Sequence, residues 1–159
     1  MKPSFVLAAL LAVVVVGAAG CDEKAFPKAP AEGSEMSKAI LDPYLRIEAA
    51  LVEDGIDGVR ANAGDVATAA TALGAPAMKI DTAAVKLAAT TTLTDARERF
   101  ADLSEAIDTY MTGLHLKTPE GVKVAFCPML RKPWLQEGET LANPYFGKNN
   151  DMSTCGSFR

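Results

Sequence analysis

Two short clusters near the C-terminus carry the side chains best suited to chemistry. Cys127-Pro128-Met129 places a thiol and a thioether two residues apart, and Met152 precedes Cys155 by three. Thiolate and thioether sulfur together form a ligand set that selects soft ions, Cu(I) above all. His115, the only histidine, would offer a nitrogen to the same site, and the ring face of Trp134, the only tryptophan, would cover a bound cation. A closed zinc site needs a further pair of Cys or His ligands, which the chain lacks. The competing reading needs no metal. Met129 and Met152 then pack as flexible apolar side chains, and Cys127 pairs with Cys155 as a disulfide. Such a bridge closes a loop of about 29 residues and constrains the unfolded chain by about 3.5 kcal/mol. A disulfide and a thiolate Cu(I) site exclude one another on the same sulfurs, and both readings stand.

The third cysteine, Cys21, decides the compartment in which these two would work. Lys2 opens the chain, an unbroken apolar run covers 5–16, and the small residues Gly17, Ala18, Ala19 and Gly20 lead into Cys21. The apolar run is shorter than the roughly 20 residues that a spanning helix needs, and it has the proportions of a signal-peptide core. Ala18-Ala19-Gly20-Cys21 resembles the lipobox of bacterial lipoproteins, with Ala18 where leucine is usual. The expectation is removal of 1–20, lipid on Cys21 and an anchor at the periplasmic side of a bacterial membrane, inner or outer. An ordinary secretory signal cut nearby is the alternative, and it also exports the chain. Export makes a disulfide available to the remaining cysteine pair.

Residues 21–34 hold Pro27, Pro30, Gly33 and several charges with little apolar content, the composition of a flexible tether. Residues 35–159 fit one domain. The chain has 16 Lys and Arg against 20 Asp and Glu. Losing Lys2 with the signal leaves a balance of −5, which speaks against a nucleic-acid partner and against a basic membrane patch.

The elements that must position the sulfur clusters are mostly helical. Met36, Ile40, Tyr44, Ile47 and Leu51 recur at helical spacing up to Gly55, with Pro43 either near a helix start or at a kink. Ile56, Val59, Ala63, Val66, Ala70 and Leu73 form a second stripe that ends at Gly74. A weaker helix is expected over 81–89. Leu93, Ala96, Phe100, Leu103, Ile107, Tyr110 or Met111, and Leu114 form the clearest amphipathic stripe, with Thr92 and Asp95 as a capping box. The expected fold is therefore all-α: an up-and-down bundle of about four helices. An irregular C-terminal tail, with a short strand at Val122, Val124 and Phe126, packs on it.

Within that tail, Asn143-Pro144-Tyr145-Phe146-Gly147 has the composition of a type I turn closed by a glycine, with Tyr145 and Phe146 anchoring it. Enzyme chemistry finds little support: there is one histidine, no serine elbow and no phosphate-binding glycine loop. Asp54 and Asp57 lack the carboxylate spacing of a calcium loop and are expected as helix caps. Glu98, Asp102 and Glu105 are expected on a solvated helix face.

Cys127-Pro128-Met129, Trp134-Leu135, Asn143-Pro144-Tyr145-Phe146-Gly147, Met152 and Cys155-Gly156 together resemble the C-terminal signature of a periplasmic domain of unknown function, family 3347. Arg99-Phe100 with Leu103-Ser104, and Leu41, Tyr44 and Leu45, match its helices. The resemblance spans about 35–158, and its tail is the more specific part. It implies a domain found alone in secreted proteins or fused to the periplasmic adaptor subunits of heavy-metal efflux systems. By position it makes Cys127, Met129, Met152 and Cys155 the metal contacts, copper the expected ion and an efflux adaptor the expected partner. The chain departs from the pattern at Phe126, where His or Tyr is frequent. It also has a shorter segment before Trp134 and a longer one over 148–151.

Overall fold

The computed structural model describes residues 30–31 and 33–159. The expected signal peptide over 1–20, the lipidation site Cys21 and most of the tether lie outside the described residues. Among the described residues four α-helices come first: α1 (Lys38–Val52), α2 (Val59–Leu73), α3 (Met78–Ala88) and α4 (Leu93–Gly113). Three strands follow: β1 (Val122–Cys127), β2 (Lys132–Glu137) and β3 (Ser157–Phe158). Among the described residues no helix is long and apolar enough to cross a membrane.

Local chemistry explains most helix limits. Thr92 accepts a hydrogen bond from the Asp95 amide at 3.2 Å and starts α4. Gly74, at φ 75°, ends α2 where a side chain would be strained. A single turn of 3-10 helix over Ala75–Ala77 then feeds α3, which begins three residues before the expected 81. Pro43 lies inside α1 and is buried, so the longer-helix alternative holds there. The apolar stripes face one core that includes Ile40, Ile47, Val66, Ile80, Phe100 and Ile107.

The all-α expectation does not hold. The C-terminal segment forms an antiparallel sheet of order β2-β1-β3, and two of its three strands sit where an irregular tail was expected. Pro133 hid β2, because proline removes a ladder donor. In the observed register Trp134 faces Ala125, and Lys132 faces Cys127. The alternation of an antiparallel ladder then points the backbone of Pro133 and Leu135 away from β1, so proline costs no bond there. That free edge of β2 is covered. Leu135 donates its amide to the Tyr44 hydroxyl at 3.1 Å, and the Tyr145 hydroxyl donates to the carbonyl of Pro133. An edge strand left open would be a template for pairing with other chains.

The sheet also completes the helical layer. Each helix packs on the next in sequence, whereas α1 and α4 meet chiefly through β2 and through aromatic side chains. Tyr44 of α1 stacks on Phe100 of α4 at 4.9 Å between centroids, Phe100 meets Tyr145 at 6.2 Å, and Tyr145 meets the edge of Trp134 at 5.9 Å. This chain of rings runs from α1 to the sheet and carries much of the core's apolar area. Asp108 of α4 also pairs with Arg159, next to β3.

Candidate functional site

β1 ends at Cys127, whose side chain is fully buried. β3 returns antiparallel beside it, with Phe126 opposite Ser157 and Ala125 opposite Phe158. Extending that register one step brings the residues just before Ser157 alongside Cys127. Cys155 thus comes next to Cys127, and both cysteines are free. Cys155 is only half-buried. Partial burial and the neighbouring Cys127 push its thiol above the ordinary value. Burial, and after it the nearby Tyr44, raises the Tyr145 phenol well above its ordinary value.

Asn143 holds Cys155 in place. Its side-chain amide donates to the Cys155 carbonyl at 2.6 Å, and its backbone amide donates to the Ser153 carbonyl at 2.7 Å. The side-chain oxygen of Asn143 accepts from the Tyr145 amide at 3.0 Å, and its backbone carbonyl accepts from the amides of Phe146 and Gly147. One buried asparagine therefore organises both the turn over 143–147 and the turn into Cys155, where the Cys155 amide donates to Met152 at 2.9 Å. Gly156 permits the close return. A Cβ there would sit 2.6 Å from the Trp134 ring and 3.0 Å from the Phe126 carbonyl.

A second anchor fixes the other end of the tail. Arg97 of α4 pairs with Asp54 at 2.5 Å and also donates to the carbonyls of Leu51 and Pro144. Asp54 accepts in addition from the backbone and side chain of Asn149. Arg97, with help from Asn149, holds the Asp54 carboxyl below the usual carboxylate range. Gly147, at φ 74°, covers the pair so closely that a Cβ would lie 2.0 Å from both Arg97 and Asp54. Asp54 is thus not a helix cap. It follows α1 at φ 61° and bonds across 43 residues to Arg97, a separation that no local pattern encodes.

The remaining expected site residues scatter. Met152 is half-buried in the turn that leads to Cys155. Met129 is 64% exposed on the loop joining β1 to β2. His115, at φ 51°, follows α4 and lines a depression with Asp108, Met111 and Val124. Val124 lies three residues before Cys127 on β1, on the order of 10 Å away and on the opposite face. His115 is therefore not brought to the thiols. Trp134 does not lid a cation either: it is fully buried and donates to Gln136 at 3.0 Å.

The donor set that the fold assembles is two thiols with one thioether nearby in sequence. Among the described residues no group of three or more His, Cys, Asp or Glu is placed to hold a metal ion. Two soft sulfur donors side by side suit a soft monovalent ion such as Cu(I) and would leave a zinc shell incomplete. Comparison with family models, with curated proteins and with solved structures finds no match to this chain.

Proposed function

We propose that this protein is a lipid-tethered periplasmic carrier of a soft metal ion, Cu(I) by the chemistry of its donors. Cys127 and Cys155 hold the ion, and Met152 is the nearest additional donor. The observation that supports this reading is the nearness of the two cysteines at the end of the sheet, one buried and one partly buried. A buried thiol retains an ion, and a half-exposed one lets it in and out. The lipobox-like segment before Cys21 supports a position at a bacterial membrane. The resemblance to domain family 3347 makes a periplasmic efflux adaptor the proposed recipient. Neither the sequence nor the site favours catalysis.

A Cu(I) competition titration tests this directly. The reduced mature protein should withdraw Cu(I) from a weak colorimetric chelator, and Cys127→Ser should abolish that. Failure of the reduced protein to compete ends the reading. Met152→Leu should weaken retention without altering the fold. Mass spectrometry of the mature N-terminus should find a diacylated Cys21.

The same nearness of the two cysteines supports a second reading, a helical interaction module stapled by a Cys127–Cys155 disulfide and holding no metal. A thiol count with and without reductant separates the two. On the staple reading Cys127→Ser mainly lowers thermal stability.

A further inference from the structure

The two thiols differ in access, and that difference gives the pair a direction. Cys127 is fully buried at the end of β1, whereas Cys155 is only partly buried after the turn from Met152. Continuing the β1–β3 register sets Gly156 opposite Cys127, so Cys155 lies beside Cys127 and a group arriving at one is close to the other. Gly156 lies against Trp134, which places the only tryptophan of the chain beside the pair.

We propose that Cys127 and Cys155 form a directional thiol–disulfide gate, in which Cys155 takes a mixed disulfide from a low-molecular-weight disulfide and Cys127 resolves it. The Cys155 thiolate attacks one sulfur of the small disulfide. That S–S bond breaks, one small thiol departs, and a mixed disulfide remains on Cys155. The Cys127 thiolate then attacks the Cys155 sulfur and expels the second small thiol. Two protein thiols lose two electrons, the small disulfide gains them as two thiols, and protons balance. The reverse polarity is blocked because no external disulfide reaches the buried Cys127 sulfur first. Closure removes both sulfur donors, so the oxidised protein cannot hold a soft ion on them. The exchange itself depends on the nearness of the two cysteines and their unequal exposure and not on metal binding. A failed Cu(I) titration therefore leaves it standing, and its own failure leaves the titration to be read independently.

The test treats the reduced mature protein with oxidised glutathione, quenches samples in acid at early times and maps the modified peptides. The expected result is a transient glutathione adduct on Cys155, followed by a Cys127–Cys155 disulfide and a change in Trp134 fluorescence. Cys127→Ser should accumulate the Cys155 adduct. Cys155→Ser should leave Cys127 reacting about tenfold more slowly or less. A first adduct on Cys127, equal rates in the two variants, or no reaction at either thiol overturns the proposal. Early-time mapping of the unsubstituted protein gives the order of attack even where a variant fails to fold.

Discussion

Leu135 gives its backbone N–H to the hydroxyl of Tyr44 at 3.1 Å, across 91 residues of sequence. The Tyr44 hydroxyl also lies 2.7 Å from Ser104 Oγ, so one phenol links α1, α4 and the edge of the sheet. Burial raises this phenol far above its ordinary value, which keeps it neutral and available to hydrogen-bond at any physiological pH.

Removing that oxygen leaves a buried backbone donor unsatisfied. Tyr44→Phe should cost about 1–3 kcal/mol, measured as a lower midpoint in urea with the slope unchanged. Ser104→Ala should cost less, about 1 kcal/mol, because Tyr44 can still serve Leu135. Equal losses in the two variants would show that the bond to Leu135 adds nothing.

Gly147→Ala should destabilise by roughly 1–3 kcal/mol or more, since the new methyl meets an ion pair at 2.0 Å and the backbone is held at φ 74°. Gly121→Ala is the control. It has a similar positive φ but open space around it, so its loss should be confined to the backbone cost, about 1 kcal/mol. Thermal melts of the two variants side by side separate steric from conformational strain.

The Arg97–Asp54 pair predicts an acid-side dependence. Asp54 titrates below its ordinary value in the folded protein, so its contribution is present above the unfolded carboxylate range and is lost as pH falls through the folded value. Asp54→Asn should therefore melt below the parent protein at pH 7, and the two melting curves should converge in acid. A gap that stays constant with pH would mean that the pairing is not what stabilises.

Glu48 predicts the opposite slope. Burial, with a smaller push from Glu137, raises its carboxyl to about 8 from an ordinary 4.5. The folded state then prefers the protonated acid. Its contribution to stability is greatest below pH 4.5 and declines as pH rises towards 8, by on the order of 3 kcal/mol at neutral pH. Glu48→Gln should remove this slope and raise the melting temperature at pH 8. An unchanged pH profile in that variant would place the dependence elsewhere.

The helices were legible because their signals are local. A capping threonine at 92, a glycine at 74 and apolar residues every three or four positions act within a turn or two, and the observed end of α2 and start of α4 follow them, whereas Ile56, expected in the second stripe, lies exposed before α2. The turn residues of 143–147 and the two sulfur clusters were also visible as residue types. What those residues touch was not. Pro133 argues against a strand until the register shows its missing donor facing away from β1, on an edge that two tyrosines cover. Nothing near Asp54 announces Arg97, and nothing near His115 says that it stands apart from the cysteines. The meeting of Cys127 with Cys155 depends on a two-residue strand, a glycine against Trp134 and an asparagine bonded to the Cys155 carbonyl. Local sequence determines helix limits because each cap and stripe gains its free energy within a few residues. The thiol pair, the ion pair and the sheet edge gain theirs only when distant segments are packed together, so the tertiary structure alone decided them.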